Sequence, residues 1–262
     1  MSSKREINPR DAVALYIAAL FISIFELLRT GLYRERVHEW LDNSSYVDLS
    51  RVILSGGLPA EHHFWGFPAL IALFEKSLSL SGFAALVMIS FIASVAAMIL
   101  MFRLYGAAVS VAFLAVCPEW VKMSVVGGSE PLFVCLLLAS FLAFRADRVW
   151  ASVLFASLAT TVRPPGVFAI CAIVLCLIGR RDWRKPAISV SLALAIGIVY
   201  LAWVRRVSGD AFVSVRLYSS SDWPPGKPFS FPLVPLGKSL IELALRFGRT
   251  WCQPSFAFSL CS

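Results

Sequence analysis

Side chains of the types that act in sugar and phosphate chemistry are separated along this chain by long apolar runs. Asp42 is followed four residues later by Tyr46, a spacing that places both on one face of a helix. An arginine such as Arg163 can bind phosphate through its planar fork of N–H donors, so it is a candidate phosphate ligand. Asp42 either stands at the base of a short amphipathic helix or balances the charges of Arg34, Arg36 and Arg51 in a solvated loop.

Further polar candidates flank the apolar runs. Glu130 precedes a proline where a helix would begin, so it either binds a polar ligand at membrane level or complements the helix dipole. Arg163 precedes two prolines in a tight turn, where lipid phosphate is the alternative partner.

The segment 209–236 combines acids with aromatic rings, which suits sugar recognition and equally an interfacial belt. Its candidates for substrate binding are Asp210, Arg216 and Trp223.

The three histidines, His38, His62 and His63, lie in one polar segment, with Glu61 beside two of them. Adjacent histidines direct their side chains apart, and the spacing of a zinc-binding helix is absent from the sequence. We therefore expect no bound metal, and the sequence identifies no cofactor with certainty. If a divalent ion takes part, Glu61, His62 and His63 are its weak candidate ligands. The six cysteines include no CxxC pair and are interpreted as packing residues.

The composition is that of a polytopic membrane protein. Of the 262 residues 58% are hydrophobic and only 15% are charged, and the mean hydropathy is +0.76. Lys and Arg outnumber Asp and Glu by 24 to 16. In a membrane protein such an excess reports loops on the inner side, so we expect no nucleic-acid partner.

The apolar runs predict an all-α fold, a single domain over 1–262 with about seven transmembrane helices. They lie at about 12–28, 82–102, 104–118, 129–144, 149–162, 164–179 and 186–204. A long first external loop, 29–81, should bear surface helices, including an amphipathic one with Asp42 at its base, and 205–250 should form an external loop with an interfacial helix over 236–247. The first run follows basic residues as a signal peptide does, but no small-residue cleavage site follows it, so we expect it to be retained.

Basic residues fix the expected orientation. Arg103 and the turns at 145–148 and 180–185 all fall on one side if the N-terminus is cytoplasmic. We therefore expect a multi-pass protein of the bacterial plasma membrane, or of the endoplasmic reticulum if the source is eukaryotic. The candidate residues then collect on the outer side.

Five short elements resemble, in order, motifs of the GT-C superfamily of membrane glycosyltransferases. "WLDNSSY" is similar to the family's WDxxxY element through Trp40, Asp42 and Tyr46, with Leu41 inserted. "HHFWGFPALIALFEK" resembles its FFPLYPLL element, and "GGSEPLFVCLLL" its SE-S/P-LF helix start at Glu130. "ATTVRPPGVF" resembles its ATRxxG turn at Arg163, and "GDAFVSVRLYSSSDW" its GDPLAFxxAQxxW element, with Asp210 and Trp223.

Within that superfamily the chain most resembles the mannosyltransferases that add the second mannose of glycosylphosphatidylinositol anchors, and their bacterial relatives. The resemblance implies a hexosyltransferase that moves mannose from a polyprenyl-phosphate donor to a hydroxyl of a glycolipid or protein glycan, among membrane lipids. It implies Asp42 as base, Arg163 and Arg216 as phosphate ligands, Glu130 and Asp210 as sugar ligands, and Trp40, Tyr46 and Trp223 as further binding residues. The family continues through several more spans, so we expect this chain to be C-terminally truncated.

Two other classes of function remain open. A polytopic transporter or lipid flippase would line a pathway with acids and arginines, although such residues usually lie within spans. A non-catalytic subunit of a glycosyltransferase complex would fit a shortened chain. Transport of label without sugar transfer would identify the first class, and tight co-purification with a second membrane glycosyltransferase the second.

Overall fold

The computed structural model describes residues 9–39, 42–56, 63–181 and 183–214. Every regular element in these ranges is an α-helix, which confirms the all-helical prediction. Trp40, Glu61, His62, Arg216, Trp223 and the helix predicted at 236–247 lie outside them. The helices are α1 Pro9–Arg29, α2 Tyr33–Glu39, α3 Asn43–Ser55, α4 Gly66–Leu78, α5 Gly82–Val116, α6 Pro118–Val126, α7 Glu130–Arg145, α8 Val149–Val162, α9 Gly166–Gly179 and α10 Arg184–Ser208.

Three of these helices are long and apolar enough to cross a membrane: α1, α5 and α10. A fourth crossing is possible by length if α6 and α7, which meet at an angle of 109°, count as one broken span. Only 17% of the apolar window of α1 and 11% of that of α10 is buried, and large side chains such as Phe25 and Val199 are exposed. Apolar surface of this extent fits a membrane-embedded protein.

A helix lies at each of the seven predicted runs, but the number of crossings stays a prediction. Helices α8 and α9 have 14 residues each, roughly 21 Å of length against a hydrocarbon core of roughly 30 Å. The run predicted at 104–118 differs most. The helix breaks at Gly106, whose φ of 80° is readily adopted only by glycine, and the helical residues that follow, 107–116, are about 15 Å long.

The basic turns lie together at one end of the bundle. Arg145 Nη1 donates to the carbonyl of Leu104 at 3.1 Å, and Arg180 Nη1 lies 3.6 Å from Asp147 Oδ1. Helix α1 begins at the same end, because α1 and the first part of α5 are antiparallel. Phe21 contacts Phe91, and Ile24, nearer the end of α1, lines one groove with Phe83 and Val87 near the start of α5. The structure thus groups the same turns that the charge pattern placed on one side.

The predicted amphipathic helix is α3, and Asp42 stands at its N-terminus. Tyr46, Val47 and Leu49 are buried, and the first two pack against α4 and α5 around Phe67 and Leu86. The apolar face of α3 therefore contacts protein, whereas the sequence pattern predicted a helix that lies on lipid. This packing fixes the start of α3 against the bundle.

Helix α4 packs so closely against the end of α8 that an added methyl group should destabilise the fold. A Cβ at Gly66 would lie 2.5 Å from Thr161 Oγ1 and 2.6 Å from its carbonyl oxygen, whereas one at Gly197 in α10 would meet open space. We expect Gly66→Ala to cost about 1–3 kcal/mol and Gly197→Ala to be neutral or stabilising. Thermal unfolding of both variants in one detergent measures the difference, and equal midpoints would contradict the contact.

Candidate functional site

The side chain of Asp42 lies at the start of α3 and is half exposed, at 51%. It occupies the N-cap position, but its carboxylate accepts no hydrogen bond from the helix, so it does not act as a cap. The carboxylate lies toward His63 instead, with 3.8 Å between Asp42 Oδ1 and His63 Nε2. The Asp42 carboxylate is therefore close to His63 on one side and accessible to a ligand on the other.

Ser129 joins three further side chains of the candidate set. Its Oγ shares a hydrogen bond with Tyr46 Oη at 3.0 Å and accepts one from Arg163 Nε at 2.8 Å. The Arg163 guanidinium also forms an ion pair with Glu130 through Nη2 and Oε1. We call Asp42, Tyr46, His63, Ser129, Glu130 and Arg163 the Arg163 cluster.

The break between α6 and α7 positions Ser129 and Glu130. Gly127 has a φ of 105°, and a Cβ there would lie 2.1 Å from Leu86 Cδ2, so the turn needs glycine. The peptide of Gly128 is held by Ser90, whose Oγ donates to its carbonyl at 2.8 Å and accepts from its N–H at 3.1 Å. Buried Ser90 thereby fixes the turn before α7 against α5.

Two longer helices, α5 and α10, extend past the polar ends of the short helices near the cluster. Ser90, which holds the turn before α7, lies eight residues after Gly82, roughly 12 Å along the axis of α5. Tyr200, which accepts a hydrogen bond from the N–H of Trp65, lies eight residues before the end of α10, again roughly 12 Å. Helices α5 and α10 thus extend beyond the level at which the short helices carry their polar ends.

His63 completes the cluster on the side of Asp42. Its side chain is 10% exposed, and its ring centroid lies 4.6 Å from that of Tyr46. Its carbonyl accepts a hydrogen bond from Ser214 at 2.8 Å, which ties the segment after α10 to this region. His63 can orient the Asp42 carboxylate and, when protonated, would carry a charge beside it.

Burial raises the pKa of the Tyr46 phenol above its ordinary value of 10.0. The hydrogen bond with Ser129 and the charge of Arg163 act against this shift, and the carboxylates of Asp42 and Glu130 add to it. At neutral pH the phenol is therefore protonated. Tyr46 can therefore donate or share a hydrogen bond, but it cannot act as a base at neutral pH.

The raised pKa of Tyr46 predicts a loss of stability in alkali. The unfolded chain ionises this phenol near pH 10, whereas the folded chain holds the proton to higher pH, so stability is full below pH 10 and falls as the pH rises above it. We expect the unfolding midpoint of the wild type to fall more steeply from pH 9 to 11 than that of Tyr46→Phe. Tyr105→Phe, at an exposed position, is the control and should follow the wild type. Parallel curves for wild type and Tyr46→Phe would contradict the prediction.

The structure brings together four of the residues that the sequence singled out: Asp42, Tyr46, Glu130 and Arg163. Asp210 lies in the turn after α10, where its carboxylate accepts from the N–H of Phe212 at 3.1 Å. Trp40, Arg216 and Trp223 fall outside the described residues. Glu130 and Arg163 pair with each other, so Glu130 does more than complement a helix dipole, and Arg163 has two protein partners in Glu130 and Ser129.

Sequence reasoning missed Ser129 as a member of the site and considered His63 only for a metal. The signal for Ser129 was its place between two glycines and Glu130, at the start of an apolar run. In the described parts of the chain no three His, Cys, Asp or Glu side chains lie close enough to hold a metal ion. Glu61 and His62 are not among those parts, so the weak metal hypothesis keeps only His63 within the structure.

No family model, no curated protein and no solved structure matches the chain. The resemblance to GT-C motifs therefore stays a prediction. The cluster itself provides an accessible carboxylate, a cation and neutral hydroxyls within one region. A carboxylate can remove a proton, and a guanidinium can stabilise a phosphate that leaves.

Proposed function

We propose that the protein is an integral membrane glycosyltransferase. In this proposal it moves a sugar, mannose by its motif resemblance, from a polyprenyl-phosphate donor to a hydroxyl of a lipid or protein glycan acceptor. The observation that supports it best is the Arg163 cluster. Asp42 at the start of α3 lies beside His63, whose ring contacts that of Tyr46, and Ser129 joins Tyr46 to Arg163 at the end of α8. These residues are 121 positions apart at most in sequence, yet they carry the two opposite charges that the transfer needs.

The proposed chemistry begins at Asp42. Its carboxylate takes the proton of the acceptor hydroxyl while the hydroxyl oxygen attacks the anomeric carbon. The bond from that carbon to the phosphate oxygen breaks, and the electron pair leaves with the polyprenyl phosphate. A single displacement of this kind inverts the anomeric configuration.

Arg163 acts on the leaving phosphate in this proposal. Its Nε and Nη2 are engaged with Ser129 and Glu130, and 34% of its side chain is exposed. These two partners hold the guanidinium in a fixed orientation, so its exposed edge is arranged before the substrate arrives. Glu130, at 25% exposure, keeps this positive charge balanced while the site is empty.

The proposed topology has seven crossings, a cytoplasmic N-terminus and the Arg163 cluster on the outer side. Two features support it: the basic turns lie at the opposite end of the bundle from the cluster, and exposed Trp150 and Trp183 lie near that basic end, where interfacial tryptophans are common. In a bacterium the membrane would be the plasma membrane, and in a eukaryote that of the endoplasmic reticulum. Cysteine labelling of single introduced positions from each side of intact cells tests this topology.

Transfer of radiolabelled mannose from polyprenyl-phosphate-mannose to membrane acceptors tests the reaction. Membranes that contain the full chain should incorporate label into lipid or protein, and membranes without it should not. Incorporation of other sugars from their polyprenyl-phosphate donors, run in parallel, defines the donor. Equal incorporation in both membranes for every donor would contradict the proposal.

A transporter or flippase is the second candidate, and the bend between α6 and α7 favours it. Transporters commonly build their sites from discontinuous helices, and Glu130 follows the 109° bend and pairs with Arg163, whose side chain is 34% exposed. In proteoliposomes a transporter would move labelled polyprenyl-phosphate-sugar across the bilayer with no acceptor present. An enzyme would instead need the acceptor and would leave the label on it.

A further inference from the structure

An apolar groove of about 530 Å³ lies between α1, α2 and α5, and its lining includes no member of the Arg163 cluster. This volume falls within the range of roughly 300–1,000 Å³ that is common for ligand pockets. Apolar side chains from three helices form its walls: Phe21, Ile24, Val37, Phe83, Val87 and Phe91. The groove is thus built from two helices that fit the length of a membrane span and one short helix between them.

The mouth of the groove is basic. Arg34 and His38 of α2 both line it and are exposed, and the His38 ring stacks on Phe83 with 3.8 Å between centroids. Gly31, Glu35, Arg34 and His38 surround a second depression that adjoins this mouth. The mouth therefore has an arginine and a titratable imidazole against one carboxylate, directly above hydrocarbon-like walls.

We propose that this groove binds an anionic phospholipid, with an acyl chain between α1 and α5 and the phosphate at Arg34 and His38. In a bilayer an open apolar groove of this size on a lipid-facing helix fills with hydrocarbon, and basic residues beside it select an anionic headgroup. The mouth lies just past the end of α1, where the chain leaves the apolar span. The basic mouth and its position at the end of an apolar span both favour an anionic phospholipid.

The lipid site connects physically to the start of α3. Val37, which lines the groove, accepts a hydrogen bond at its carbonyl from Asn43 Nδ2 at 2.9 Å. The same Asn43 amide donates to the carbonyl of Val126 at 3.1 Å, just before the turn that carries Ser129. Lipid in the groove would hold α2 in place, and with it the position of α3. The proposal stands without any assumption about the catalysed reaction.

Native mass spectrometry of the purified full chain, exchanged into phosphatidylglycerol or phosphatidylcholine with identical acyl chains, tests the site. We expect one phosphatidylglycerol to remain bound at activation energies that remove phosphatidylcholine. Arg34→Gln should weaken this retention roughly fivefold, and the Arg34→Gln/His38→Gln pair further. Arg36→Gln, on the same short helix but outside the groove, is the matched control and should retain the lipid.

A groove-filling variant tests the acyl chain separately from the headgroup. Ala84→Trp places an indole in the groove at an exposed position and should remove both lipids, whereas Val190→Trp, exposed on α10, should remove neither. Unfolding midpoints in detergent verify that the variants are folded. Retention by Ala84→Trp, or equal losses for Arg34→Gln and Arg36→Gln, would overturn the proposal. A change of oligomeric state in Ala84→Trp without bound lipid in the wild type would show that a second copy occupies the groove instead.

Discussion

Asp42→Asn is expected to reduce mannose transfer from polyprenyl-phosphate-mannose by about 10²–10⁴-fold, the usual contribution of a general base. The amide keeps the size of the carboxylate but cannot take the acceptor proton at neutral pH. Since the Asp42 side chain is half exposed and does not cap α3, the fold should be unaffected. The measurement is the initial rate of label incorporation, normalised to the folded protein in each membrane.

Asp48→Asn provides the matched control. Asp48 is on the same helix, 63% exposed, and pairs only locally with Arg51 at 2.8 Å within the described residues. We expect this variant to keep the wild-type rate, because surface pairs of this kind contribute little to stability. An active Asp42→Asn variant, or equal losses in both variants, would exclude Asp42 as the base.

The second large effect should come from the pair of Arg163 and Glu130. Arg163→Gln leaves a carboxylate, 25% exposed in the intact pair, without its cation, and we expect a loss of about 1–3 kcal/mol in unfolding free energy. The double variant Arg163→Gln/Glu130→Gln has no isolated charge and should regain part of this loss. If Arg163 binds the leaving phosphate as proposed, neither variant should transfer mannose at more than about a hundredth of the wild-type rate.

Arg163→Lys separates the shape of the side chain from its charge. An ammonium cannot donate to Ser129 and Glu130 from one planar fork and still present an edge to phosphate. We therefore expect near-normal stability with a strongly reduced rate. The unfolding midpoint and the transfer rate are measured on the same preparation. Full activity in the double variant would show that Arg163 serves the fold alone.

The helical segments could be predicted because their signal is local. Apolar runs and helix-ending residues fixed α8 at the predicted bounds, 149–162, and α9 to within two residues. Periodicity also placed Asp42 at the base of a helix and on one face with Tyr46. Such inferences need only neighbours along the chain.

Contacts across the sequence were harder to predict. The pairing of Arg163 with Glu130 depends on the break at Gly127 and on Ser90, 38 residues away from Gly128, and no local pattern marks Ser90 for this contact. The sequence predicted a break at Arg103, between the runs 82–102 and 104–118, whereas the helix breaks at Gly106. A single glycine within an apolar run does not distinguish a kink from a continuous helix. The sequence suggested His63 only as a weak metal ligand. Its proximity to Asp42 could not be predicted, because it depends on the packing of α3 against α4.

The unequal helix lengths affect the surrounding lipid. Exposed apolar residues of α8 and α9, such as Leu154 and Leu175, lie on helices roughly 21 Å long, while α10 measures roughly 37 Å. Such hydrophobic mismatch is relieved when the adjacent bilayer thins or the long helix tilts. The stability of the protein should then depend on bilayer thickness. Bilayers with shorter acyl chains should match the lengths of α8 and α9 best, and thick, sterol-rich bilayers should destabilise the protein.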